Sequence, residues 1–277
     1  MHPELFRLGP FVLHSYGLMV FLGFSGGILL AARRADSHGF PRETVYDVSL
    51  WILISSLFGA RLLYIITHVN EFRGHWIDTV SPIQTDGTIG IAGLVLLGGV
   101  IAAIIALIAF SRYKKVPLLK LADLMIPSLA LGEFFGRIGC FLNGCCFGLP
   151  TKLPWGMVFP SDCLAGQHFP DTPIQPTQLY MSGMALITMF VLLGSEKKLK
   201  HPGQLFGLYL TIYGPVRFYI ESIRWYEDSM KPFQSVGSAI TVSQMLSVAI
   251  TIGGIYLLSR KQPIPVRRKQ QKVEVTP

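Results

Sequence analysis

What most constrains this chain is a run of 25 residues, Leu8 to Ala32, without a single Asp, Glu, Lys or Arg. About 20 apolar residues are enough for a helix to cross a bilayer, and a soluble domain has no use for a longer charge-free window. Three more such windows follow, Gly87 to Ser111, Thr172 to Ser195 and Pro232 to Ser259. Composition agrees: 51% of the 277 residues are hydrophobic and 14% are charged, against roughly 25% charged in soluble domains. An integral membrane protein is expected, and a disordered, fibrous or ordinary cytosolic chain is excluded. The first window lacks the basic leader, short apolar core and small-residue cleavage site of a signal peptide, and Arg33-Arg34 stops it. It is therefore expected to remain as a spanning helix.

Apolar runs bounded by Pro, Gly and charge predict an all-α fold of about seven transmembrane helices, near 14–33, 47–68, 89–111, 119–142, 177–195, 204–223 and 238–258. The second, fourth and sixth contain charges, which must face protein if those helices are to cross. Basic residues set the orientation. Sixteen of the 24 fall in alternate connections: Arg33, Arg34 and Arg42; Arg112, Lys114, Lys115 and Lys120; Lys197, Lys198 and Lys200; and Arg260 with the five that follow it. The opposite side holds only Arg7, Arg73, Lys152 and Lys231. The N-terminus is thus expected outside and the C-terminus in the cytoplasm, and the net charge of +8 needs no nucleic acid to explain it. One seven-span membrane domain is expected over 1–260, with an outer head loop of about 143–176 that carries six prolines. Residues 261–277 read as a basic cytoplasmic tail suited to anionic lipid.

Arginine at membrane depth costs at least about 2.5–3.5 kcal/mol on insertion scales, so each one needs a partner or a role. Glu133 and Arg137 are spaced i,i+4, as are Arg217 and Glu221, with Arg224 three residues further on. Such pairs serve equally as structural ion pairs. Two of them together with Arg61, all toward the outer halves of their spans, point instead to a polar cavity that opens outward. Arg61, Arg137, Arg217 and Arg224 outnumber the nearby carboxylates Glu133 and Glu221. Guanidinium presents a fixed fork of donors to phosphate, so an anionic phospholipid headgroup is the natural ligand. Gly98-Gly99, Gly136 with Gly139, and Gly144 with Gly148 permit close backbone approach, although small residues are also ordinary packing devices between membrane helices.

All four cysteines, Cys140, Cys145, Cys146 and Cys163, lie at the outer end of the fourth span or in the loop after it. In an oxidising compartment two would pair, with Cys163 to Cys145 or Cys146 the favoured choice and the connectivity left open. The spacing C-x4-C-C lacks the C-x2-C knuckle of zinc sites. Neither a metal nor any other cofactor is expected.

The run Gly136-Arg137-Ile138-Gly139-Cys140-Phe141-Leu142-Asn143-Gly144-Cys145-Cys146-Phe147-Gly148 resembles the signature of bacterial prolipoprotein diacylglyceryl transferases, typically G-R-x-G-N-F-x-N-x-E-x-x-G. Further pieces occur in the same order. His14-Ser15-Tyr16-Gly17 is similar to H-x-Y-G, Gly59-Ala60-Arg61-Leu62-Leu63-Tyr64 to G-A-R-x-x-Y, and Gln175-Pro176-Thr177-Gln178-Leu179-Tyr180 to H-P-x-Q-L-Y-E. Tyr213-Gly214-Pro215-Val216-Arg217-Phe218-Tyr219-Ile220-Glu221 with Arg224 resembles Y-G-x-x-R-F-x-x-E-x-x-R. The resemblance covers roughly residues 10 to 260 and identifies a divergent member. Leu97-Gly98-Gly99 stands where the family has H-G-G, Cys140 and Cys145 replace the signature's Asn and Glu, and Gln175 and Met181 replace a His and a Glu.

The resemblance implies transfer of the diacylglyceryl group of phosphatidylglycerol to the lipobox cysteine thiol of a prolipoprotein, giving a thioether and glycerol phosphate. It also implies a multi-pass protein of the bacterial inner membrane, with its cavity toward the outer face and membrane lipids around it. Arg137 and Arg217 are implied to hold the phosphate and stabilise its departing charge, and Tyr16 to bond the lipid phosphate or ester. Asn143, Gly148, Arg61, Glu221, Arg224, Gly98 and Gly99 complete the implied substrate-binding set. The nucleophile is a thiolate, so the site must remove a proton or depress the thiol pKa of about 8.5. Leu97 cannot take that proton. His14 and His168 are the remaining candidates, and each reads first as an interface or loop histidine. Two other functions compete: a membrane thiol-disulfide oxidoreductase using the cysteine cluster, and a non-catalytic phospholipid-binding homologue.

Overall fold

The computed structural model describes residues 4–8, 11–72, 93–226, 235–236 and 240–260. Seven long helices run through these residues: α1 (Ser15–Ala35), α2 (Arg42–Thr67), α3 (Leu96–Tyr113), α4 (Leu118–Asn143), α6 (Thr177–Ser195), α7 (Gln204–Ile223) and α8 (Val242–Ser259). A short α5 (Leu164–His168) lies between α4 and α6. Two antiparallel pairs, unexpected in an all-α reading, complete the elements: β1 (Glu4–Leu8) with β2 (Phe11–His14), and β3 (Ser235–Val236) with β4 (Ile240–Thr241).

Local sequence explains the helix limits. Pro41 and Pro176 precede α2 and α6, where a missing N–H costs nothing. Thr241 caps α8 through a reciprocal box: its Oγ1 accepts from Gln244 N at 3.1 Å, while its own N–H donates to Gln244 Oε1 at 3.0 Å. Five helices, α1, α2, α3, α6 and α8, are long and apolar enough to cross a membrane. The remaining two fall short of the seven expected because Lys120, Asp123, Glu133 and Arg137 interrupt α4, and Arg217 and Glu221 interrupt α7. Large apolar side chains such as Ile54, Phe58, Ile105, Phe190 and Ile252 face outward, as they do on helices immersed in lipid rather than water.

The chain clusters into two compact units, Ser25–Ser128 and Met1–Phe24 with Leu129–Pro277, whose limits fall inside α1 and α4. In the first, Ala31, Ala35, Val45, Val48, Phe110, Leu121 and Leu124 form the core. Pro127 within α4 has no N–H to give the carbonyl four residues earlier. Arg34 covers that gap, its guanidinium donating to Leu124 O at 2.7 Å and to Asp123 O at 3.5 Å. Close approach of α2 and α3 depends on Gly98, where an added Cβ would lie 2.6 Å from Leu63 Cβ and strike the Gly59 carbonyl.

In the second unit, α7 and α8 meet through small residues: a Cβ on Gly207 would lie 2.9 Å from Gly254 O. Ser182 of α6 donates to Phe134 O of α4 at 3.0 Å. The segment between α4 and α6 wraps a small core of Phe147, Phe159, Cys163, Ala165 and Ile174. It is stitched to the ends of α6 and α7, since Gly148 N donates to Gln175 O (2.9 Å), Leu149 N to Ile223 O (2.9 Å) and Trp225 N to Phe147 O (3.1 Å).

Candidate active site

The polar groups of the second unit gather around the last turns of α4 and α7. On α4, one helical turn separates Glu133 from Arg137, and Arg137 Nη2 lies 3.6 Å from Glu133 Oε1. Tyr209 donates to Glu133 Oε2 at 3.3 Å and stacks on Tyr213, the ring centroids 5.5 Å apart. On α7 the corresponding pair is tighter, with Arg217 Nη2 2.8 Å from Glu221 Oε2. The Glu221 carboxylate is buried and satisfied by donors from beyond its own helix. Tyr226 Oη lies 2.9 and 2.8 Å from its two oxygens, and Thr241 Oγ1 donates to Oε1 at 3.3 Å. Burial pushes the Tyr226 phenol up, so it remains a donor at neutral pH. Arg224 lies over the Tyr226 ring at 4.8 Å, and its buried Nε has no hydrogen-bond partner among the described residues.

Tyr213 is the point at which these groups meet, within electrostatic range of Glu133, Arg217, Arg137 and Arg224. Three guanidiniums thus share one neighbourhood with two carboxylates. A narrow cleft of about 10 Å³, lined mainly by apolar side chains, adjoins it, with Glu133, Met181, Met184, Ala185, Tyr213 and Val216 among its walls. Such an arrangement can hold an anionic group against the guanidiniums.

A turn after α4 brings the cysteines to this place. Gly144 and Cys146 both adopt left-handed backbone conformations, φ +69° and +61°, which is strained for cysteine. The turn folds back so that Cys145 N donates to Cys140 O at 3.1 Å. Its carbonyls are then fixed by the start of α6: Thr177 Oγ1 donates to Cys146 O at 2.8 Å and Gln178 Nε2 to Cys145 O at 2.7 Å. The Sγ atoms of Cys140, Cys145 and Cys146 all lie within 4.8 Å of one another. The Cys145 thiol donates to Cys140 O at 3.7 Å, and the neighbouring Cys140 and Cys145 thiols, with the Arg224 and Arg137 charges, hold the Cys146 thiol below its usual range. Tyr16 packs on Gly139, its Cδ2 3.1 Å from where a Cβ would stand, within electrostatic range of the trio and Arg137. Asn143 is exposed beside them.

Over nearly all of this length the chain matches a known family. A family profile described as prolipoprotein diacylglyceryl transferase covers residues 3–260. The chain belongs to the prolipoprotein diacylglyceryl transferase family. Among relatives of this transferase family, it is 33% identical over 259 residues to the phosphatidylglycerol--prolipoprotein diacylglyceryl transferase of Clostridium tetani, covering 94% of this chain and 97% of that protein. It is 34% identical over 245 residues to the second such transferase of Clostridium perfringens, covering 88% and 90%, and 31% identical over 246 residues to that of Finegoldia magna, covering 87% and 88%.

Of the residues singled out from the transferase resemblance, Tyr16, Arg137, Asn143, Gly148, Arg217, Glu221 and Arg224 lie in one compact unit. Arg61, Gly98 and Gly99 belong to the other, where Arg61 Nη1 donates to Gly93 O at 3.3 Å and its guanidinium rests on Tyr64 and Phe72. The expected pairing of Cys163 with Cys145 or Cys146 is not what the structure holds. All four cysteines are free, and Cys163 donates its thiol to Pro160 O at 3.2 Å. Packed under Gly144, it is committed to the head core instead. His168 packs against Trp225 with its ring tilted by 41°, ring centroids 4.4 Å apart. Tyr226 and Thr241 escaped the sequence reading because they reach Glu221 from outside its motif, and helical spacing carries no signal for them.

Proposed function

We propose that this chain catalyses transfer of the diacylglyceryl group of phosphatidylglycerol to the lipobox cysteine of prolipoproteins, releasing glycerol phosphate. Family membership and the names of its relatives support the reaction and do not favour a thiol-disulfide oxidoreductase or a non-catalytic lipid-binding protein. The single observation that carries the assignment of roles is that Arg137, Arg217 and Arg224 all lie within electrostatic range of Tyr213, beside the Arg137–Glu133 and Arg217–Glu221 ion pairs. In this reading Arg137 and Arg217 hold the lipid phosphate, Glu221 and Arg224 orient Arg217, and Tyr16 bonds the phosphate or an ester. Asn143 and Gly148 shape the loop over the lipid.

The protein sits in the bacterial inner membrane with seven helices crossing. The partly charged α4 and α7 cross because their charges face protein. Its N-terminus is outside, its C-terminus is cytoplasmic and the cavity opens outward. Residues 1–260 form one membrane domain whose head is 143–176, and 261–277, outside the described residues, form a basic tail. The purified protein should move labelled diacylglycerol from phosphatidylglycerol vesicles to a lipobox peptide, detected as a thioether product. Absence of that product with both substrates present, from folded protein, would falsify the reading.

A further inference from the structure

The proposed reaction needs a thiolate, and the position that supplies an imidazole in the family signature is Leu97. Three thiols stand in the site instead. A tetrahedral ion with metal–sulfur bonds of about 2.3 Å holds its sulfurs about 3.8 Å apart, and the Sγ atoms of Cys140, Cys145 and Cys146 already lie within 4.8 Å of one another. The difference is at most about 1 Å per pair. The backbone that presents them is built rather than incidental, because the left-handed Cys146 and the pinning of both carbonyls by Thr177 and Gln178 hold the turn in place. Two buried polar atoms at this border lack partners, Arg224 Nε and Gln178 Oε1. Among the described residues these three are the one group whose side chains could hold a metal ion.

We propose that Cys140, Cys145 and Cys146 bind a zinc ion whose fourth position receives the lipobox thiol. Three protein ligands and one open position is the arrangement of catalytic rather than structural zinc, and coordination deprotonates a thiol outright. Charge supports it: zinc with four thiolates carries two negative charges, and Arg137, one turn before Cys140 on α4, and Arg224, whose backbone bridges Gly148 just after the turn, bring positive charge to the same place. The inference rests on the transferase reading above. The lipobox S–H loses its proton as its sulfur becomes the fourth ligand. That sulfur attacks the glyceryl carbon bearing the phosphate, the C–S bond forms as the C–O bond breaks, and the electron pair leaves with glycerol phosphate. The proton ends on the phosphate or in water, and nothing is oxidised or reduced.

The test uses the full-length protein in detergent. About one zinc per chain is expected by elemental analysis after purification without added metal. The cobalt-substituted protein should show thiolate charge-transfer bands that change when a lipobox peptide is added, and do not change with a Cys-to-Ser peptide. Cys140→Asn with Cys145→Glu, which installs the residues of the family's typical signature and so preserves the fold, should lose the metal. Cys163→Ser should keep it. Removal of zinc by a chelator should lower transfer by about 100-fold or more, and added zinc should restore it. Undiminished transfer by metal-free protein overturns the zinc proposal and leaves the transferase reading standing. Stoichiometric, peptide-responsive metal in a protein that transfers no lipid sinks the transferase reading and leaves the site. Metal bound equally by the trio variant and its parent also overturns the proposal.

Discussion

Glu221 has a side chain wholly removed from solvent, and each of its polar neighbours donates to it: Arg217 at 2.8 Å, Tyr226 at 2.9 and 2.8 Å, and Thr241 at 3.3 Å. A buried carboxylate left short of donors costs about 1–3 kcal/mol, so Tyr226→Phe should lower stability by that order, read as a lower thermal midpoint in detergent. The same network fixes the Arg217 fork. Arg217→Lys keeps the charge but loses two-point contact with a phosphate, and transfer should fall by about 10- to 100-fold while the protein remains folded; free replacement by lysine would show that only net charge matters. Arg137→Ala should abolish measurable transfer with folding intact, since one preorganised donor to a developing anion is worth about 100-fold or more. Near-normal activity in that variant removes its phosphate role. His168, packed against Trp225, and His14 should both tolerate replacement by Gln. The rate should then rise with pH toward a thiol pKa depressed below about 8.5, without a separate imidazole limb. Loss of activity in either variant, with lipid binding intact, would make that histidine the base.

Gly148 shows how one turn organises several elements. A Cβ there would lie 2.8 Å from Gln175 O, Ile223 O and Thr177 Cγ2 at once, where the segment after α4 crosses the beginning of α6 and the end of α7. Gly148→Ala should cost about 1–3 kcal/mol through forced displacement of two carbonyls, measured as a lowered midpoint together with weaker lipid transfer. Helix limits were legible wherever punctuation was strong: α6 and α7 occupy 177–195 and 204–223 as expected. α3 begins at Leu96 rather than near 89, with extended backbone at Val95, and α8 begins at Val242 rather than 238, behind its Thr241 cap. The β1–β2 pair had a signal in Gly9-Pro10 between two apolar runs, but proximity to the first span masked it. The thiol cluster was not legible. C-x4-C-C looks wrong for a metal along the chain, and only the left-handed Gly144 and Cys146 fold it into a trio.

For the molecule as a whole, the charge-free windows specified a helical membrane protein, and family signatures specified the arginine-rich site. Neither spacing nor composition could specify which groups sit in which compact unit, because that depends on contacts between distant segments. The proposed topology is testable by membrane-impermeant labelling of single cysteines added in a cysteine-free background. Thr172→Cys in the head should react in intact spheroplasts, and Lys115→Cys and Lys198→Cys should react only after permeabilisation. Labelling of all three alike would refute the alternating arrangement. The Arg217–Glu221 pair has a further consequence, for biosynthesis. Both charges belong to α7 and neutralise each other one turn apart, so on the proposed seven-span topology this segment brings its own counter-ion when it leaves the translocon. Its remaining donors, Tyr226 and Thr241, are synthesised later. On the proposed topology, then, α7 enters the membrane before two of the donors to Glu221 exist, and its buried carboxylate is fully satisfied only once α8 has emerged.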